Sequence, residues 1–232
     1  MTIKTKYRKS SHLEIKKTRQ LIRLFCEDLT ATTASKLLWI RRWTVNDRYN
    51  YIREAILRES LKTDKEIRDW IIEIDESYFW ARRIRWKRWR WAWGKTKVLW
   101  VLKREWKVYV QIVPDCSAKS LIPIIRGKIN PEESVVNTDW WKSYDGLIDM
   151  WYEKHYRVHH WKNEFARWKK HINWIESFWS FTKRRLSKFN WVPREKFLLH
   201  LKECEYRFNC RLWWKNMYNE LLKLLRNYSK AS

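Results

Sequence analysis

Ile71-Ile72-Glu73-Ile74-Asp75-Glu76-Ser77-Tyr78-Phe79 is the stretch whose reading decides the fold. Before it, apolar residues recur at helical spacing. Here they come as a short β-branched run that closes on two carboxylates, the pattern of a buried strand. The reading expects Asp75 to end this strand, at an edge of the sheet where following loops leave room for a substrate.

Downstream, Val98 to Lys103 and Lys107 to Val113 read as two more strands, with Glu105-Trp106 as the hairpin turn between them. A helix near Ser120 to Gly127, a strand Ser134 to Thr138, a helix around Ser143 to Met150 and a strand near His155 to His159 follow. Long helices at about His171 to Phe189 and Arg194 to Leu225 complete the chain. Three consecutive strands, then alternating helix and strand, then helices is an α/β order of RNase-H-like type. It implies a mixed sheet flanked by helices, with the first strand central.

Upstream, residues 17 to 57 give three helices, marked by Leu21, Ile22, Leu24, Phe25, then Ala34, Leu37, Leu38, then Val45, Tyr49, Ile52, Ile56. Thr32 or Thr33 would cap the second and Thr44 the third. Only Trp39 to Arg42 separates them, the interval of a helix-turn-helix in a small all-α region. The third helix would then read DNA, with Arg41, Arg42, Thr44, Asn46 and Arg48 near bases or phosphates. A plain three-helix bundle with a solvated basic face has the same pattern. The division expected is 1–65 for the helix-turn-helix, 66–211 for the sheet domain and 212–232 for a helical tail.

Two further acids fall where Asp75 could meet them. Asp139 follows the fourth strand. Glu176 lies beside the helical stripe Ile172, Ile175, Trp179, Thr182, Leu186 and Phe189, so it can face the sheet. Each acid alone reads as easily as a solvated surface charge. Gathered carboxylates repel one another unless cations join them, and Mg²⁺ bridges carboxylate and phosphate oxygens. Two ions roughly 3.5 to 4 Å apart support in-line phosphoryl displacement. Asp75, Asp139 and Glu176 are therefore the expected catalytic residues and the expected ligands of Mg²⁺, with Mn²⁺ as a substitute. Lys183, Arg184, Arg185 and Lys188 continue the Glu176 helix and are expected on the DNA backbone.

Asp75-Glu76-Ser77-Tyr78-Phe79, Val113 to Lys119, Thr138-Asp139-Trp140-Trp141-Lys142-Ser143-Tyr144, His171 to Trp179 and Phe197 to Phe208 resemble the ISXO-like group of insertion-sequence transposases. The resemblance covers roughly residues 70 to 211. It implies a DDE enzyme that cuts double-stranded DNA at the ends of its element and joins the 3′-ends to target DNA. Such an enzyme works as at least a dimer on DNA. The acids carried over are Asp75, Asp139 and Glu176, the last a position where some relatives use Asn. His171 and Asn173 share its motif and would position phosphate or water; His159 and His160 close a strand. The zinc ribbon of many members is missing here, which leaves end recognition to the helix-turn-helix. The alternative is an inactive or repurposed DNA-binding protein.

The composition agrees with a polyanionic partner: 51 Lys and Arg against 26 Asp and Glu leave a net charge of +25. No apolar run reaches the ~18 residues of a membrane span, so no membrane is expected and a cytoplasmic protein is. Cys26, Cys116, Cys204 and Cys210 contain no C-x-x-C pair and read as reduced structural thiols.

One ratio is anomalous. The chain has 3 Gly and 20 Trp, where ordinary usage gives about 16 Gly. Tryptophan stands where turns want glycine: Trp39 between two helices, Trp106 in the hairpin, Trp151 at a helix exit, Trp191 before Val-Pro. In the resembling family glycine follows the residues matching Asp139, Asn173 and Asn190, and recurs through the basic stretch 82–97. The expectation is a gene whose UGA codons mean glycine, written out here as Trp. This covers Trp39, Trp80, Trp86, Trp89, Trp91, Trp93, Trp100, Trp106, Trp140, Trp151, Trp161, Trp168, Trp174 and Trp191. Trp141 and Trp179 match true tryptophans, and Trp43, Trp70, Trp213 and Trp214 stay open. Taken literally, 82–97 is a cationic aromatic segment suited to a membrane interface or unpaired bases; taken as glycine-rich, it is a basic loop along DNA.

Overall fold

The computed structural model describes residues 13–62, 71–79, 96–103, 107–127, 129, 135–139, 155–158, 173–189 and 192–231. They form two compact units, one built from Met1–Asp64 with Val192–Ser232, the other from Lys65–Trp191.

The second unit holds the sheet. Its strands are β1 (Ile71–Phe79), β2 (Thr96–Lys103), β3 (Lys107–Val113), β4 (Val135–Asp139) and β5 (His155–Val158), in the spatial order β3-β2-β1-β4-β5. β1 is antiparallel to β2 and β2 to β3, whereas β1 to β4 and β4 to β5 are parallel. This is the RNase-H-like mixed sheet with β1 central. Side chains alternate across a strand, so Ile72 and Ile74 face one way and Glu73, Asp75 and Phe79 the other. On the first face Ile72, Ile74, Leu99 and Val101 bury against Leu121 and Ile125 of α4 (Ala118–Arg126) and Ile129. On the second face lies the next helix, α5 (Asn173–Ser187), through Phe178 and Trp179, both buried.

Asp75 does not end its strand. β1 runs on to Phe79, still paired with β2 from Glu76↔Leu99 to Phe79↔Thr96. What ends near Asp75 is the partner on the other side: β1 and β4 pair from Ile71↔Val135 to Ile74↔Thr138. Among the described residues β1 has a partner on that side only as far as Ile74, so the apolar run gives way to polar residues while the strand itself continues.

The first unit is helical: α1 (Ile15–Cys26), α2 (Ala31–Leu38), α3 (Arg42–Lys62), α6 (Arg194–Leu212) and α7 (Met217–Ala231). Its apolar core joins Leu21, Ile22 and Phe25 of α1, Val45, Tyr49 and Ile52 of α3, and Leu221 and Leu225 of α7. The cap of α2 is Thr30, whose Oγ1 accepts from the Thr33 N–H at 3.2 Å, in place of Thr32 or Thr33. α3 opens at Arg42, so Thr44 lies inside its first turn and does not cap it. The long final helix expected over Arg194 to Leu225 is two helices, parted at Trp213 to Asn216 by Trp214 with φ 50°. By packing, α6 and α7 together belong with the N-terminal helices, although the sequence division set 66–211 apart from a tail.

α3 and α6 meet through charge. Glu203 accepts from Arg53 Nε at 2.8 Å and Arg207 Nε at 2.9 Å, with Glu203 fully buried and both arginines nearly so. Arg207 also donates to the Cys26 carbonyl at 2.9 Å and to the Phe25 carbonyl, capping the end of α1. Alongside, Glu205 accepts from Ser60 Oγ at 3.1 Å and Lys202 Nζ at 2.7 Å. Burial pushes the Cys26 thiol up to about 11, which keeps it protonated and unreactive at neutral pH.

Candidate active site

The site is the end of the β1/β4 pairing. One residue beyond Ile74↔Thr138, Asp75 and Asp139 follow on neighbouring parallel strands, and Asp139 is the last residue of β4. Parallel strands in register carry these two acids to the same level of the sheet. β5 flanks them, with Asp139 paired to Val158.

Asp75 is half-buried and its carboxylate is held at both oxygens. Oδ1 accepts from the Glu76 backbone N–H at 2.8 Å, and Oδ2 from the indole Nε1–H of Trp179 at 2.7 Å. A carboxylate oxygen accepts through two lone pairs, so a hydrogen-bond donor and a cation can share one oxygen.

Trp179 belongs to α5, and Glu176 lies three residues before it in the first turn, exposed. Residues three apart share a helix face, about 4.5 Å apart along the axis, so the helix that contacts Asp75 also carries Glu176 on its neighbouring turn. Carboxylates and waters are the ligand set of hard divalent ions, and Asp75, Asp139 and Glu176 fit Mg²⁺ or Mn²⁺ by that chemistry. Among the described residues no three His, Cys, Asp or Glu gather at one point, and the Asp139 side chain lies outside the description.

The other site residues separate clearly. Arg41, Arg42 and Asn46 are exposed around the start of α3, with Thr44 and Arg48 half-buried. On α5, Lys183 and Arg184 are exposed, and Lys188, just past its end, is half-buried. Lys183 Nζ stands 5.3 Å from the Trp179 ring centroid, and Lys188 Nζ 5.1 Å from that of Phe189. Arg185 is a correction: it is buried, because it shares the inward stripe with Phe178, Thr182 and Leu186, and its guanidinium lies over Phe189. Asn173 begins α5. His171, His159, His160, the basic stretch up to Lys95 and the turn Glu105-Trp106 lie outside the described residues.

Two residues escaped the sequence reading. Glu73 is fully buried on the Asp75 face of β1; the period-two alternation was the available signal. Asp115 resembles a ligand by type, but it is used in its own loop, accepting from the Ser117 N–H at 2.8 Å and from the Ser117 hydroxyl. Those bonds hold its carboxyl down to about 2.

The model of the ISXO2-like transposase domain matches residues 68–209. The chain belongs to that family. It is also 47% identical over 103 residues to an uncharacterized transposase-like protein of Haemophilus influenzae, covering 44% of this chain and 81% of that protein. Among solved structures it is similar to the Mos1 transposase in a pre-cleavage transpososome, with a TM-score of 0.40 and 12% identity over 92% of this chain and 78% of that one. The Mos1 mariner paired-end complex with Mn gives a TM-score of 0.36 and 12% identity over 97% and 80%. At those values the fold of this transposase rests on its own strand order. Among the described residues no helix is long and apolar enough to cross a membrane.

Proposed function

We propose that this transposase cleaves phosphodiester bonds at the ends of its element and transfers the 3′-ends to target DNA, with Asp75, Asp139 and Glu176 as the catalytic acids. The observation that carries the reading is the convergence at β1/β4: two aspartates reach one level of the sheet where the pairing ends, and the helix bearing Glu176 is bonded to one of them. The three acids would hold divalent ions, Mg²⁺ or Mn²⁺, which when bound activate the attacking oxygen and stabilise the leaving one in an in-line displacement. Trp179 and the Glu76 N–H fix the plane of the Asp75 carboxylate before substrate arrives. Lys183 and Arg184, both about two turns beyond Glu176, would receive DNA phosphates and bring the scissile bond to the acids. The half-buried Lys188 would act with them at the end of α5.

The helix-turn-helix would recognise the element's ends. Arg41, Arg42, Thr44, Asn46 and Arg48 cluster at the start of α3, the end that enters the major groove in this motif. Joining two ends needs at least two copies on one DNA complex.

The deciding experiment assays cleavage and strand transfer on the gene's flanking DNA. Asp75→Ala, Asp139→Ala and Glu176→Ala should each abolish both steps while retaining DNA binding. Undiminished activity in all three would remove the catalytic assignment. DNA binding by a wild-type chain that never cleaves would favour a repurposed binding protein.

A further inference from the structure

We propose that Trp179 is the positioning residue of the active site, setting both the orientation of the Asp75 carboxylate and the station of Glu176. The proposal rests on the reading of Asp75 as a metal ligand and adds the group that acts through it. An indole N–H donates and cannot accept, so at 6% exposure it needs a protein acceptor, and it has taken Asp75 Oδ2 at 2.7 Å. With the Glu76 N–H on Oδ1, two donors on two oxygens leave the carboxylate one orientation. A hydrogen bond to an ionised acceptor away from water belongs to the strong class. The same bond joins α5 to β1 one turn from Glu176, so two of the three acids are set by a single contact.

Trp179→Phe keeps the ring and removes the donor. Mn²⁺ binding to the full chain on its DNA, followed by the electron paramagnetic resonance of free Mn²⁺, should weaken roughly 10- to 100-fold, the usual cost of losing a partner of a metal ligand. DNA affinity should hold, and the melting temperature should fall by no more than a few degrees, leaving the chain folded at the assay temperature. Trp179→His, which returns a ring N–H, should recover part of the loss. Equal loss in both variants with early melting would make Trp179 a packing residue and overturn the proposal. So would unchanged Mn²⁺ binding in Trp179→Phe beside lost binding in Asp75→Asn. Mn²⁺ binding retained in Asp75→Asn would instead overturn the ligand reading beneath it.

A second inference stands on the backbone. We infer that residues 39, 100 and 214 are glycine in the natural polypeptide, encoded by UGA in a lineage that reads this codon as glycine. Three helices end in the same way: the N–H of Leu29, Ile40 and Lys215 reaches back five residues to the carbonyl of Leu24, Ser35 and Cys210. This bond defines the Schellman turn, whose penultimate residue is left-handed and usually Gly. Those residues are Asp28, Trp39 and Trp214, with φ of 58°, 55° and 50°. Asp tolerates the region and Trp does not favour it. Trp39 and Trp214 gain no contact in compensation, being 93% and 96% exposed.

Trp100 fails from the opposite side. It is directly across from Asp75 on β2, fully buried, with its Nε1 unpartnered. Its ring centroid lies 3.8 Å from that of Trp179 at an interplanar angle of 54°, closer than the roughly 4.5 to 7 Å that aromatic pairs prefer. A glycine there removes the close approach to the Trp179 ring and the unpartnered indole N–H.

The unmodified gene placed in a standard-code host decides the matter: translation should stop after Leu38, and peptides of the native protein should carry Gly at 39, 100 and 214 and Trp at 179. Full-length product from that host, or UGG codons at the three positions, would overturn the inference. As a protein-level check, Trp39→Gly with Trp214→Gly should raise the melting temperature of the written sequence; an unchanged or lower value counts against it.

Discussion

The two units solve burial in opposite ways. Under the sheet, α4 covers β1 to β3 with an apolar, mostly aliphatic cluster that includes Ile72, Ile74, Leu99, Val101, Val113, Leu121 and Ile125 together with Tyr109. In the helical unit, α3 and α6 are joined by a fully buried Glu203 between two arginines. An aliphatic core is non-directional and tolerates small shifts, while a buried carboxylate is stable only if its partners stay within hydrogen-bond reach. The helical unit thus trades adaptability for one defined alignment of the helices that would carry the DNA-reading residues.

The sharpest way to break the contrast is Glu203→Ala, which strands Arg53 and Arg207 in the core. Urea denaturation should show about 3–5 kcal/mol lost. Leu121→Ala, the matching deletion under the sheet, should cost about 2–5 kcal/mol through the cavity it leaves, and a cost above that of Glu203→Ala would reverse the ranking. Replacing Arg53, Glu203 and Arg207 together by Met, Leu and Met should cost less than Glu203→Ala, because no buried charge of the triad is left unpaired, although the Phe25 and Cys26 carbonyls lose their donor. If alignment is what the charges secure, that chain should bind DNA ends less selectively even while folded. Thr30→Ala should cost about 1 kcal/mol by uncapping α2. Lys223→Ala, removing an exposed pair with Glu220 at 3.2 Å, should change stability by about 0.3 kcal/mol.

The apolar unit was the legible one. The run at residues 71–74, the strands at 98 and 107 and the order of elements are patterns of hydrophobicity, and a sheet buried on both faces is built from such patterns. The strand beyond Asp75 was not legible, because Glu-Ser-Tyr-Phe, paired among the described residues with β2 alone, carries no apolar period. Asp75, Asp139 and Glu176 could be proposed from position and resemblance, but Trp179 looked like one more stripe residue; only its indole N–H, which must find an acceptor, hinted at more. In the helical unit, hydropathy places Arg53, Glu203 and Arg207 outside. Their single sequence trace is the four-residue spacing of Glu203 and Arg207, which also marks ordinary surface pairs. The break at Trp214 was hidden because a tryptophan does not read as a helix stop.

The ion cluster also imposes a calendar on synthesis. Arg53 and Glu203 are 150 residues apart, so at about 5 to 20 residues per second the arginine leaves the ribosome roughly 8 to 30 s before its partner. Through that interval the whole sheet unit emerges while the first three helices lack the chain that completes their core. A ribosome that abandons the message anywhere before α6 therefore releases the first three helices without the chain that completes their apolar core and their buried ion cluster.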